Sequence, residues 1–283
     1  MNGLDMADVA RVVYTALAED LGDPPRDVTS EATIPAGQMD TAELIARAAG
    51  VVAGLPVAAQ VFAVTSGGTA TFEQRVEEGA AVQRGDVLAV VTGPTRSLLT
   101  AERTALNLLC RMSGVATHTR RWADALAGTD ATVLDTRKTT PGLRALEKYA
   151  VRAGGGTNKR MGLYDVAMIK DNHKLAAGSI TAAYRKVRET FPDVPVQVEV
   201  TTRAEAVEAV EAGAGFLLCD NMTPELLREV VAAVGDRAEL EATGNLTLQT
   251  ASAYAATGVD YLSVGGLTHS SPILDIAMDL RPR

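Results

Sequence analysis

From about residue 130 onward, short apolar runs alternate with helical stretches at a regular spacing, and this constrains the fold more than any other feature of the chain. The runs ATVLDT, DVAMIK, VPVQVEV, GFLLCD, AELEATG and VDYLSVG read as strands. Between most of them lie helical segments punctuated by Gly or Pro, such as TRAEAVEAVEAGA, TPELLREVVAAVG and TLQTASAYAATG. Alternation of this kind predicts a parallel sheet. Strands that are apolar without a break argue burial on both faces, as in a β/α barrel.

The first hundred residues have a different texture. Val9, Val12, Val13, Ala16 and Leu17 recur at helical spacing and predict an amphipathic helix over 6–21 that stops near Gly22. From Thr41 to Gly93 the chain reads as short β-like runs with turn residues. One of them, EEGAAVQRGDVLAVV, has the look of a biotinyl or lipoyl hammerhead, but residues 69–93 hold no lysine to modify, so a structural β-layer is the better reading. A long helix is expected from about Arg96 to Leu126, with Gly114 as a candidate interruption. The division expected is an α/β domain over 1–102, a barrel over 103–272, and a tail, 273–283, that returns to the first domain.

Active sites of β/α barrels lie at the carboxyl ends of the strands. Those ends read Asp135-Thr136-Arg137-Lys138, Lys170-Asp171-Asn172-His173, Glu199, Asp220-Asn221, Glu241-Ala242-Thr243-Gly244 and Gly265-Gly266. Any one of them could be a solvated loop; six converging on one mouth form a signal. Between Leu134 and Lys174 there are nine Lys and Arg and four acids, a local +5, which leaves −13 for the rest of a chain whose total is −8. Arg144, Lys148 and Arg152 fall at helical spacing and predict a solvated or ion-paired face. Arg137, Lys138, Lys159, Arg160 and Lys170 fall at strand ends or in the loop AGGGTNKRMG, and such groups suit carboxylates and phosphates. This predicts a site for a multiply anionic small ligand.

Glu199 and Asp220 end successive strands, where their oxygens suit Mg²⁺ held against substrate oxygens. Backbone N–H groups at Gly244-Asn245 and Gly265-Gly266, each expected before a helix start, suit a phosphate. Neither pair matches a nucleoside-triphosphate loop or a dinucleotide fingerprint. With three histidines in the chain, a His-rich metal site is disfavoured; His173 is a functional candidate, and His118 is as readily structural. The acidic average and 4% aromatic content exclude nucleic-acid and anionic-membrane partners. No apolar stretch reaches membrane-span length. Cys110 and Cys219 sit in apolar surroundings, as buried thiols in a reducing compartment. A cytoplasmic protein without a signal peptide is expected.

The blocks EDLGDPPRDVTSEATIP, AERTALNLLCRMSGVAT, LDTRKTTPGLRALEKYAVRAGGGTNKRMGLYDVAMIKDNH, LCDNM, LEATGN and TGVDYLSVGGLTHSSPILDIAMDL resemble the quinolinate phosphoribosyltransferase family over nearly the whole chain. The resemblance implies an open α/β barrel with a smaller N-terminal α/β sandwich. It also implies a homodimer whose sites are completed by the partner subunit, with a hexamer as the larger alternative. The implied activity is transfer of phosphoribosyl from phosphoribosyl diphosphate to quinolinate with decarboxylation, in NAD biosynthesis, with Mg²⁺ as cofactor.

Carried over by position, Arg103 would reach the neighbouring subunit's site. Arg137, Arg160 and Lys170 would bind quinolinate, with Lys138 near phosphoribosyl diphosphate. Glu199 and Asp220 would hold ribose hydroxyls and Mg²⁺, and the Thr243–Asn245 and Gly265–Gly266 turns would take the 5′-phosphate. Two positions depart from the family pattern: Lys159 stands where His is common, and Thr243-Gly244-Asn245 where Ser-Gly-Gly is common. Lys159 keeps a donor and adds a permanent charge, and it counts among the substrate-binding candidates. Alternatives are a paralogue for another anionic heteroaromatic acid (or a molybdenum-associated relative), a non-catalytic ligand-binding homologue, and a Schiff-base enzyme using Lys170.

Overall fold

The computed structural model describes residues 3–282. In its amino-terminal part the chain forms α1 (Met6–Leu21), α2 (Val28–Thr33), β1 (Met39–Ala46), β2 (Gly50–Val51), α3 (Leu55–Thr65), β3 (Thr71–Gln74), β4 (Ala81–Val82), β5 (Val87–Pro94) and α4 (Thr95–Ala125). There follow β6 (Thr132–Leu134), α5 (Arg144–Ala153), β7 (Ala167–Ile169), α6 (Asp171–Ala177), α7 (Ile180–Thr190), β8 (Val196–Val200) and α8 (Arg203–Glu211). The remainder is β9 (Phe216–Asp220), α9 (Pro224–Val234), β10 (Glu239–Thr243), α10 (Ala251–Ala255), β11 (Tyr261–Ser263), α11 (Gly266–His269) and β12 (Ile276–Leu280).

Two compact units divide these elements. One comprises the chain up to Arg120, the segment Thr139–Gly155 and everything from Thr268 on; the other is Arg121–Lys138 with Gly156–Leu267. The first unit therefore runs past residue 102 and takes in α5, and α4 continues as one helix out of β5. No interruption occurs at Gly114. The glycine is there for packing, since a Cβ at that position would collide with the backbone of Pro272 and Ile273. The unit's sheet has the order β12-β1-β5-β3, with β12 antiparallel to β1 from Ala42↔Leu280 to Ala46↔Ile276.

The 41–93 stretch is not all strand. Leu55–Thr65 is a helix, α3, with Pro56 in its first turn and Leu55, Val57, Ala58, Val61 and Phe62 buried. Its sequence is apolar on every side, so it lacks the 3.6-residue alternation that marks an amphipathic helix. The Glu78 carboxylate accepts the Gly54 and Leu55 N–H groups at its start. Of the face of α5 expected to be solvated or ion-paired, Lys148 is not solvated: it is 1% exposed.

The second unit is the open barrel. Its six strands are parallel, in the order β6-β11-β10-β9-β8-β7, and all six runs read from the sequence are present. Along β8, Val196, Val198 and Val200 are buried while Gln197 and Glu199 are half-buried on the other face. That period of two keeps the apolar side packed and puts Glu199 in the lining of the mouth. Both cysteines are buried and free. Among the described residues no helix is long and apolar enough to cross a membrane.

Candidate active site

The carboxyl ends of the barrel strands enclose a cavity of about 300 Å³. Five cations line it, Arg137 and Lys138 beyond β6, Lys159 and Arg160 from the loop before β7, and Lys170 at the end of β7. Glu199, next to last in β8, and Asp220, closing β9, are its carboxylates, and Thr243 and Ser263 contribute from β10 and β11. A larger cavity, about 500 Å³, lies against α6 and α7 and shares Arg160 and Met168 with the first. Most of its lining is apolar, including Leu163, Ile169 and Val187, so the smaller cavity holds the chemistry.

The cations converge because the loop after α5 runs along the edge strand. Thr157 bridges Leu134 in parallel, and the Thr157 N–H donates to Val133 O at 2.9 Å. Asp135, fully buried, then holds the next two residues: Oδ2 accepts from Asn158 Nδ2 at 2.6 Å, and Oδ1 from the Lys159 N–H at 2.8 Å. Charge-assisted bonds of this length fix the loop firmly. Beyond it, Asp165 accepts the Met161, Gly162 and Val166 N–H groups, and these bonds hold its carboxyl below the usual range although burial alone would raise it. Arg160 Nη1 donates to Val166 O at 2.8 Å. Burial, then the neighbouring Arg137 charge, lowers the Arg160 pKa from its ordinary value.

Two lysine–carboxylate pairs occupy this mouth. Lys159 Nζ lies 2.6 Å from Glu241 Oε1, with side chains 7% and 0% exposed. Lys170 Nζ lies 3.2 Å from Glu199 Oε2, with side chains 48% and 12% exposed. Asp220 accepts from Asn221 Nδ2 at 2.9 Å, and Asn221, at φ 53°, turns the chain out of β9. Gly244 has φ +90°, and a Cβ there would strike the Asn221 side-chain amide, so only glycine fits this approach of two strand ends.

Family models place the chain. The description "Quinolinate phosphoribosyl transferase, C-terminal domain" matches residues 115–279, and the N-terminal domain of the same name matches 27–113. This chain belongs to the quinolinate phosphoribosyltransferase family. A nicotinate-nucleotide pyrophosphorylase [carboxylating] of Mycobacterium leprae is 48% identical over 281 residues, covering 96% of this chain and 98% of the relative. A probable enzyme of the same name from Bacillus subtilis is 42% identical over 93% of this chain and 90% of its own length. The crystal structure of NadC from Streptococcus pyogenes superposes with a TM-score of 0.95 at 38% identity, covering 99% of each chain.

Among the family-derived candidates, Arg137, Lys138, Lys159, Arg160, Lys170, Glu199, Asp220 and Thr243 line one cavity. Arg103 does not; it is exposed on α4, in the other unit. Gly244, Asn245, Gly265 and Gly266 lie just beyond the lining, in the turns after β10 and β11. Gly266 opens α11, whereas Gly244-Asn245 does not precede a helix directly, since α10 begins only at Ala251. The Asn245 side chain has a partner, donating from Nδ2 to Asn221 Oδ1 at 3.1 Å. His173 is outside the charged cavity: it caps α6, its Nδ1 accepting from the Lys170 N–H at 3.0 Å. Asp135 and Glu241 stood among the strand ends in the sequence without an assigned role, and both are fully buried anchors of the lysine-bearing loop.

Proposed function

We propose that the chain transfers phosphoribosyl from phosphoribosyl diphosphate to quinolinate, giving nicotinate mononucleotide, diphosphate and CO₂ for NAD biosynthesis. The observation that carries this reading is the convergence of five cations and two carboxylates in one cavity at the carboxyl end of the barrel. Arg137, Arg160 and Lys170 present fixed positive charge to the two carboxylates of the acid, the guanidinium groups in forked geometry. Lys138 serves the phosphoribosyl diphosphate. The turns at Thr243–Asn245 and Gly265–Gly266 offer backbone N–H groups to the 5′-phosphate.

Departure of diphosphate from C1′ develops oxocarbenium character while negative charge gathers on the leaving group, and the fixed cations stabilise that charge as it forms. The pyridine nitrogen attacks C1′. The C2 carboxylate then leaves as CO₂, the electron pair of the broken bond stays on C2, stabilised by the adjacent ring cation, and that carbon takes a proton. Among the described residues no group of three or more His, Cys, Asp or Glu side chains could hold a metal. Glu199 and Asp220 alone fit a hard cation that completes its shell with substrate and water oxygens, as Mg²⁺ does. When bound there, Mg²⁺ supplies charge neutralisation for the diphosphate.

The protein acts in this reading as a cytoplasmic homodimer in which Arg103 completes the neighbour's site, with a hexamer as the larger assembly. The test is incubation of purified protein with Mg²⁺, phosphoribosyl diphosphate and quinolinate, with nicotinate mononucleotide and CO₂ measured together. Turnover of a related heteroaromatic acid in place of quinolinate would favour the paralogue, and quinolinate binding without any turnover the non-catalytic homologue. Inactive Arg103→Ala and Arg137→Ala proteins, mixed under subunit exchange, are expected to recover activity; no recovery counts against a shared site.

A further inference from the structure

Glu241 has no role in the chemistry above, yet it is the most costly residue of the mouth to bury. It lies on β10, two residues before Thr243 and in register with Leu218 of β9 and Tyr261 of β11, and its side chain is wholly inaccessible. Oε1 accepts from Lys159 Nζ at 2.6 Å, whereas Oε2, equally buried, has no hydrogen-bond partner among the described residues. A carboxylate taken from water without compensation costs several kcal/mol, so the ammonium of Lys159 is what makes this burial tolerable. Lys159 reaches the pair from the loop that lines the cavity, so its charge sits in the cavity floor.

We propose that Glu241 is a positioning residue for the acid-binding site: it holds the Lys159 side chain as an ammonium, fixed in the cavity floor, so that Lys159 stays a cation for the incoming dicarboxylate. This rests on the reading of the site given above. The surroundings explain why a counter-charge is needed. Burial lowers the Lys159 pKa, Glu241 opposes it by charge and hydrogen bond, and the charges of Lys170 and Arg160 lower it further. Nearby, Asp135 accepts the Lys159 backbone N–H, Glu199 pairs with Lys170, and Cys219 on β9 feels the Glu241 charge. Burial and then the Glu241 charge push the Cys219 thiol up to about 12, so it stays neutral. A lysine at this position is a permanent cation only while its buried partner keeps its charge.

The test is the pH dependence of kcat/KM for quinolinate at saturating phosphoribosyl diphosphate, in wild type, Glu241→Gln and Glu241→Gln/Lys159→Arg. Glu241→Gln is expected to lose activity on the alkaline side at least about one pH unit earlier, read as a roughly tenfold higher KM at a fixed alkaline pH. Arginine keeps its proton throughout, so the double variant is expected to lack that shift. A Glu241→Gln profile parallel to wild type at every pH, or a shift that survives in the double variant, overturns the proposal. Should Glu241→Gln not fold, Glu241→Asp lengthens the pair and is expected to shift the limb in the same direction by less; no shift there also overturns it. If wild type does not turn over quinolinate, the functional reading fails separately. The inference is then decided by NMR titration of ¹⁵N-lysine protein, with the Lys159 ammonium signal, identified by its loss in Lys159→Arg, expected to titrate at lower pH in Glu241→Gln and an unchanged titration overturning it.

Discussion

The two lysine–glutamate pairs of the barrel mouth share their chemistry and differ in almost everything else. Lys159–Glu241 is short and nearly dry, at 2.6 Å with 7% and 0% exposure, and Lys170–Glu199 is longer and open, at 3.2 Å with 48% and 12% exposure. An open pair gains little from its own attraction, about 0–1 kcal/mol, because water screens it. Both partners can therefore exchange one another for a ligand at small cost, which suits Lys170 to bind an acid and Glu199 to bind a cation or ribose hydroxyl. The dry pair cannot exchange in this way, since separating it strands a buried charge. One pair is the part of the site that moves onto substrate, and the other is the part that stays.

The largest effect follows from breaking the dry pair on one side. Lys159→Met leaves Glu241 as an unpaired buried carboxylate and is expected to lower unfolding free energy by about 3–5 kcal/mol in urea denaturation. Lys159→Met/Glu241→Gln, which removes both charges, is expected to recover most of that loss. If the double variant is no more stable than the single, the pair is not what stabilises this floor, and the contrast with Lys170–Glu199 disappears.

The open pair should show the reverse pattern. Lys170→Ala is expected to leave stability within about 1 kcal/mol of wild type. Its kcat/KM for quinolinate should fall by about a hundredfold, since a charged hydrogen bond to substrate contributes roughly 1.5–3 kcal/mol. Urea denaturation and steady-state kinetics on one preparation check both halves. A stability loss as large as that of Lys159→Met would place both pairs in the scaffold.

The residues of both pairs stood among the strand ends and loop cations of the sequence, and neither pairing was legible there. Lys170 follows β7 directly and Glu199 is the penultimate residue of β8, so the strand pattern delivers them to the mouth. The same rule found Arg137, Asp220 and Thr243. Glu241 lies deeper in its strand, between Leu240 and Ala242, and all three are buried, so burial does not alternate there as it does along β8. Its partner is 82 positions away in a glycine-rich loop. The Thr157–Leu134 bridge and the Asp135 anchor bring them together, and neither has a local sequence signature. The same absence of alternation hid α3, and the charge pattern of α5, which fits a solvated or an ion-paired face alike, did not reveal that Lys148 is buried. Sequence periodicity reports which face a residue is on, and it fails where both faces are covered.

The smallest effect is a slope with pH, and it separates the dry pair from a generic ion pair. Burial, outweighing Glu241, holds the Lys159 pKa below the ordinary lysine value. Between that folded value and the ordinary one, the native protein binds fewer protons than the unfolded chain, so stability must rise with pH across the window. Below the window the full penalty for keeping the ammonium buried is present, and above it the penalty is gone. Unfolding free energy measured at several alkaline pH values is therefore expected to carry an upward contribution in wild type that is absent in Lys159→Met/Glu241→Gln. The size of the difference measures how nearly Glu241 compensates the burial of its partner: a steep difference means a strained cation, and equal slopes mean that Glu241 offsets burial in full.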